Sequence, residues 1–127
     1  MNLFHGSLNH NEFENNVFFS TSVEFAKDYG EVKQYKVNMQ NTFDTLNDYH
    51  VKRLFDYKGF LYEPYDEITL NSYEEYLNTD FYGCDNWELF EQYITTIRQM
   101  GYDSMRIFEG GIENFVVFNK CFQLVEI

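Results

Sequence analysis

Hydrophobic and polar positions alternate from Val32 to Met39, where Tyr35, Val37 and Met39 are separated by Lys36 and Asn38. A period of two belongs to a strand with one face in the core and the other in water. Shorter runs at Leu3 to His5 and Val17 to Ser20 predict two further strands. Between them and the alternating segment, Thr21 and Glu24 have capping-box spacing and Gly30 follows Tyr29, which predicts a short helix over 22–29.

Trp87, Phe90, Ile94 and Ile97 then recur at helical spacing. Asp85 and Glu88 repeat the capping-box pattern before them and Gly101 follows Met100, so a long helix is expected up to that glycine. Three apolar runs come next, Ser104 to Phe108, Asn114 to Phe118 and Cys121 to Val125, separated by two turns that predict an antiparallel meander. The middle, 41–84, is rich in Asp, Asn and Tyr and has no sustained period; short helices are expected around 47–57 and 71–77.

With 127 residues, no repeat, no Pro/Gly/Ser-rich linker and one proline, Pro64, the chain reads as a single α+β domain over 1–127. Composition sharpens this. Aromatic residues make up 20% of the chain, well above what a disordered acidic tail carries. The formal net charge is −12, which opposes any grip on phosphates and excludes direct nucleic-acid or anionic-membrane binding as a function class. Cys84 and Cys121 form no C-x-x-C pair and have no His at ligand spacing, so neither structural zinc nor a disulfide framework is expected. The first residues carry no basic and apolar leader pattern, and the expectation is a soluble cytoplasmic protein, acting as a monomer.

Three motifs fall in order along the chain: Leu3-Phe4-His5-Gly6-Ser7, then Phe18-Phe19-Ser20 with Ala26-Lys27-Asp28-Tyr29, then Glu113-Asn114-Phe115-Val116-Val117-Phe118. Together they resemble the HG(S/T) strand, the FFS strand with its Tyr-ended helix, and the E-Y-V-V-F strand of the ADP-ribosyltransferase fold. The resemblance covers the two ends of the chain and not its middle. The N-terminal LFHGS, the DNWEL at 85–89 and the turn at Gly101-Tyr102 further resemble the small phage ADP-ribosyltransferases that act as anti-CRISPR proteins. This implies two small packed antiparallel sheets with flanking helices and an NAD cleft between them. It also implies mono-ADP-ribosylation of a basic, nucleic-acid-binding protein, a CRISPR effector subunit, with NAD as co-substrate.

On that resemblance His5 would bond the ribose next to adenine, and Gly6 would let the backbone approach the nicotinamide amide. Tyr29 and Phe19 would stack on nicotinamide, with Ser7 and Ser20 lining the cleft. The acid departs from the pattern. Gap-free alignment puts Asn114 where the family has its catalytic Glu, and Glu113 one residue away points to the opposite strand face unless a bulge intervenes. In the anti-CRISPR relatives the acid comes from the end of the preceding strand, which here is Glu109; it is placed first and Glu113 second. Asn114 would remain as a polar cofactor contact.

The plainer readings differ residue by residue. His10 and His50 have no companions in sequence and read as surface residues, Trp87, Phe90, Ile94 and Ile97 as core, and Glu109 and Glu113 as solvated turn acids. Two other functions remain open: a non-enzymatic acidic blocker that mimics nucleic acid, and an NAD glycohydrolase with water as acceptor.

Overall fold

The N-terminal runs become strands because each has an apolar face to bury. The computed structural model describes residues 1–10, 13, 16–57, 70, 72–119 and 121–125. In it β1 (Asn2–Ser7) pairs along its length with β3 (Glu31–Val37), Leu3 opposite Tyr35, while β2 (Val17–Ser20) pairs with β6 (Ile112–Val117). Between β2 and β3 lies α1 (Val23–Lys27). Ser22, not Thr21, caps it, its hydroxyl accepting from the Phe25 N–H at 3.1 Å; the Thr21 hydroxyl instead donates to the Glu113 carbonyl.

The middle holds β4 (Thr42–Asp44), α2 (Asp48–Asp56) and α3 (Tyr73–Leu77), close to the two expected helices. Pro64 lies outside the described residues. The strand was not foreseen, since three residues carry too little pattern. The long helix is broken into α4 (Trp87–Phe90), a 3-10 turn over Glu91–Tyr93 and α5 (Ile94–Gln99). The tightened turn carries Gln92 and Tyr93 into the core beside Leu89 and Phe90. Asp85 caps no helix: its carboxylate accepts the N–H groups of Gly110 and Gly111, at 2.9 and 2.8 Å.

Two expectations about the sheet are corrected. Instead of two packed sheets there is one of seven strands, in the order β4-β5-β6-β2-β1-β3-β7, with β5 at Ser104–Glu109 and β7 at Phe122–Leu124. It is not wholly antiparallel, for β4 runs parallel to β5, an arrangement that the intervening helices make possible as a crossover. The meander also stops at two strands. Both edges of β6 are taken, by β5 and β2, so β7 pairs at the far edge with β3.

Alternate residues of β6 enter different cores. Val116 and Phe118 join the cluster under α2 to α5, with Phe43, Leu54, Tyr76, Phe90, Ile97 and Met105; Phe115 and Val117 join Leu3, Val17, Phe19, Tyr35 and Val37 on the opposite face. No helix among the described residues is long and apolar enough to cross a membrane. His10 and His50 are tied into the fold, correcting their reading as surface residues. His10 bonds the Tyr35 hydroxyl at 2.9 Å and the Glu31 carbonyl at 2.7 Å, while His50 Nδ1 accepts the Asp44 N–H at 3.0 Å.

Asn86 joins three elements. Its wholly buried amide donates to Thr45 Oγ1 at 2.8 Å and accepts the Phe108 N–H at 3.0 Å, and its own N–H donates to the Phe108 carbonyl at 3.0 Å. Asn86→Ala leaves the part-buried Phe108 N–H without its acceptor, while the Thr45 hydroxyl keeps its bond to the Arg106 carbonyl, and is expected to lower unfolding free energy by about 1–2 kcal/mol in urea denaturation followed by circular dichroism.

Candidate functional site

Strands β1 and β2 share a single registered pair, Phe4 with Ser20, and part beyond it. The ring of His5 closes the gap, its Nδ1 donating to the Phe18 carbonyl at 2.7 Å. A carbonyl only accepts, so Nδ1 carries the proton and the neutral ring presents Nε2 as an acceptor. Burial holds the His5 pKa below its ordinary value, with His10 adding to the shift and the bond to Phe18 opposing it. The split leaves a cavity on each side of the sheet, and His5 and Phe18 line both.

On the α1 side the cavity measures about 250 Å³ and is lined by Phe4, His5, Gly6, Phe18, Ser20, Phe25, Ala26, Tyr29, Trp87 and Glu109. Packing alone requires a glycine at position 6. A Cβ on it would stand 1.8 Å from the Ala26 carbonyl oxygen and 3.3 Å from Tyr29 Cβ, so the end of α1 lies directly on β1. That contact places Tyr29 at the cavity wall, half exposed, with the Phe18 ring 6.4 Å away. The Phe18 ring also lies 5.5 Å from Trp87 and 6.0 Å from Phe25.

Of the residues expected at the site, Gly6, Ser20, Tyr29 and Glu109 meet in this cavity, with His5 at the split. Phe19 does not. Ser20 faces the cavity, so alternation sends Phe19 to the opposite face, fully buried against Tyr35 and Phe122. Phe18 stands in its stead. Ser7 lines the second cavity, of about 520 Å³, where its hydroxyl donates to the Asn9 carbonyl. The sequence reading missed Phe18, Phe25 and Trp87; the signal for Phe18 was its place one residue before Phe19 in a strand whose Ser20 was already assigned to the cleft.

Glu109 and Glu113 separate cleanly. The β5–β6 ladder runs without a bulge, Phe108 opposite Glu113 and Glu109 opposite Ile112, so the two carboxylates lie on opposite faces. Glu113 accepts a 2.6 Å bond from Arg106 Nε, and Arg106 also meets Asp44 at 3.1 Å. Glu109 lines the cavity. Its carboxyl pKa is raised above the ordinary value, first by burial and then by the charges of Asp85, Glu88 and Glu91.

Asn114 lies between Ser20 and Ile107 in register, wholly buried and outside the cavity lining, and among the described residues neither its side-chain oxygen nor its nitrogen has a partner. A carboxylate here would be a buried charge without compensation, costing several kcal/mol. Glu109, at the end of β5, is instead the carboxylate that lines the cavity among the described residues.

No protein-family model matches the chain, and no curated protein matches its sequence. In fold it is similar to a crystal structure described as that of an anti-CRISPR protein, at TM-score 0.53 and 16% identity, over 98% of this chain and 95% of that one.

Gly6→Ala is expected to push α1 and Tyr29 off β1 and to lower stability by roughly 1–3 kcal/mol, read from thermal unfolding. The Glu109 carboxyl is expected to titrate above the ordinary value of about 4.5. Glu88→Gln, which removes a neighbouring negative charge, should bring that midpoint down, as followed by carboxyl carbon NMR.

Proposed function

We propose that the protein is a mono-ADP-ribosyltransferase that takes NAD as donor and modifies a CRISPR effector subunit, thereby blocking its nucleic-acid binding. The observation that carries this reading is the gathering of Gly6, Ser20, Tyr29 and Glu109, from both ends of the chain, around one cavity beside His5. The anti-CRISPR description of the structural neighbour supports a CRISPR-related partner. The net charge of −12 favours a basic protein surface as the target.

In this reaction the bond between the ribose and the nicotinamide nitrogen breaks, its electron pair leaving with nicotinamide. A bond from the ribose to the acceptor forms and the acceptor loses a proton. Tyr29 and Phe18 offer the leaving ring apolar faces, and the His5 Nε2 accepts from a ribose hydroxyl. The Glu109 carboxylate accepts from the ribose 2′-hydroxyl and offsets the positive charge that develops on the sugar. The product carries two added phosphates on a surface meant for nucleic acid, where repulsion and bulk exclude it.

The same net charge favours a second reading, a non-enzymatic acidic blocker occupying a basic groove. Incubation with effector subunits and NAD, followed by intact-mass spectrometry, separates the two. The expected result is a gain of one ADP-ribose at sub-stoichiometric dose. Glu109→Gln should slow it by about a hundredfold or more, while Glu113→Gln, on the other face, leaves it near the wild-type rate. Inhibition at one-to-one dose without NAD would support the blocker, and free ADP-ribose formed without a target would support a glycohydrolase.

A further inference from the structure

A second cavity, of about 240 Å³, opens on the far side of the wall formed by Trp87 and Glu109, and Phe81, Asp85, Glu88 and Phe108 complete its lining. It shares that wall with the candidate donor cavity, so a group seated in either touches the same carboxylate and the same indole. Its chemistry is one-sided. Phe81 and Trp87 line it together with three acids, Asp85, Glu88 and Glu109, and no Lys or Arg is among the lining residues; the Asp85 carboxylate already accepts from the Gly110 and Gly111 N–H groups, which leaves Glu88 and Glu109 to meet a cation. The nearby cation of β5, Arg106, stacks 4.8 Å over the Phe108 ring and is bound by Asp44 and Glu113, on the strand face away from Glu109.

We propose that this cavity receives the protein target and takes a cationic side chain, lysine or arginine. Aromatic faces with carboxylates beside them attract such groups twice over, through the ring quadrupole and through charge. The role as a target pocket rests on the transferase reading; the binding of a cation does not. A cation seated there also relieves the crowding of negative charge that Asp85, Glu88 and Glu91 impose on Glu109, and so favours its ionised form when a target is present.

Trp87 is the single tryptophan of the chain and reports directly on this wall. The full-length protein, without NAD, is titrated at low ionic strength with the methylamides of Nα-acetyl-lysine, Nα-acetyl-arginine and the neutral Nα-acetyl-citrulline, and its tryptophan emission is recorded. The expected result is a saturable change with the two cationic probes and about tenfold weaker binding of the citrulline probe. Glu88→Gln should weaken the cationic probes and leave the neutral one unchanged; Glu88→Ala, at the same exposed position, serves as a second variant should the first fail to fold. Equal binding of all three probes, no saturable change, or unaltered binding by a folded Glu88→Gln protein would overturn the proposal. Because neither NAD nor a target is present, failure here leaves the donor reading standing, and failure of the donor reading leaves the cation pocket standing.

Discussion

The amide of Asn86 is the point on which the geometry of the cavity walls depends. It is fully buried, and it binds the backbone of β5 at Phe108 on one side and the hydroxyl of Thr45 on the other. The residues on either side of it are committed by the same anchor. Asp85 holds the Gly110–Gly111 turn through two N–H groups, and Trp87 opens α4 as the wall between the two cavities. Glu109 therefore stands at a strand end fixed from both directions.

The acids on the other face of the hairpin are paired. Arg106 lies between Asp44 and Glu113, and its guanidinium stacks 4.8 Å above the Phe108 ring. This is a structural ion cluster that ties β4 to the hairpin. Strand alternation alone decides which glutamate lines the cavity and which joins the ion cluster. The two acids are four positions apart in the chain, but they stand on opposite strands of a tight hairpin and end on opposite faces.

Much of this was legible in the sequence wherever a period or a turn signal ran long enough. Strand β2 emerged with the expected bounds, β3 within a residue or two, and the separation of Glu109 from Glu113 onto opposite faces follows from strand parity. What escaped was set by distant partners. The sheet is single because Phe4 and Ser20 join its halves, a pairing that no local pattern records. Strand β4 exists because β5 offers it an edge, and Asp85 is drawn from the helix end it resembled by two glycine N–H groups across the chain. Phe19 was misplaced for a simpler reason: two adjacent phenylalanines look alike until parity is counted from Ser20.

Gly6 and Glu109 lie 103 residues apart in the chain, yet they line one cavity. Its walls are thus contacts of very long loop, the kind whose closure entropy is met late in folding. A nascent chain carries β1, β2 and α1 early, but they enclose nothing on the acidic side until the β5–β6 hairpin has emerged and paired with β2. The cavity is consequently a property of the finished fold. During synthesis on the ribosome the N-terminal strands can pair without enclosing the cavity, so completion of the hairpin is also the moment at which its acidic wall is put in place.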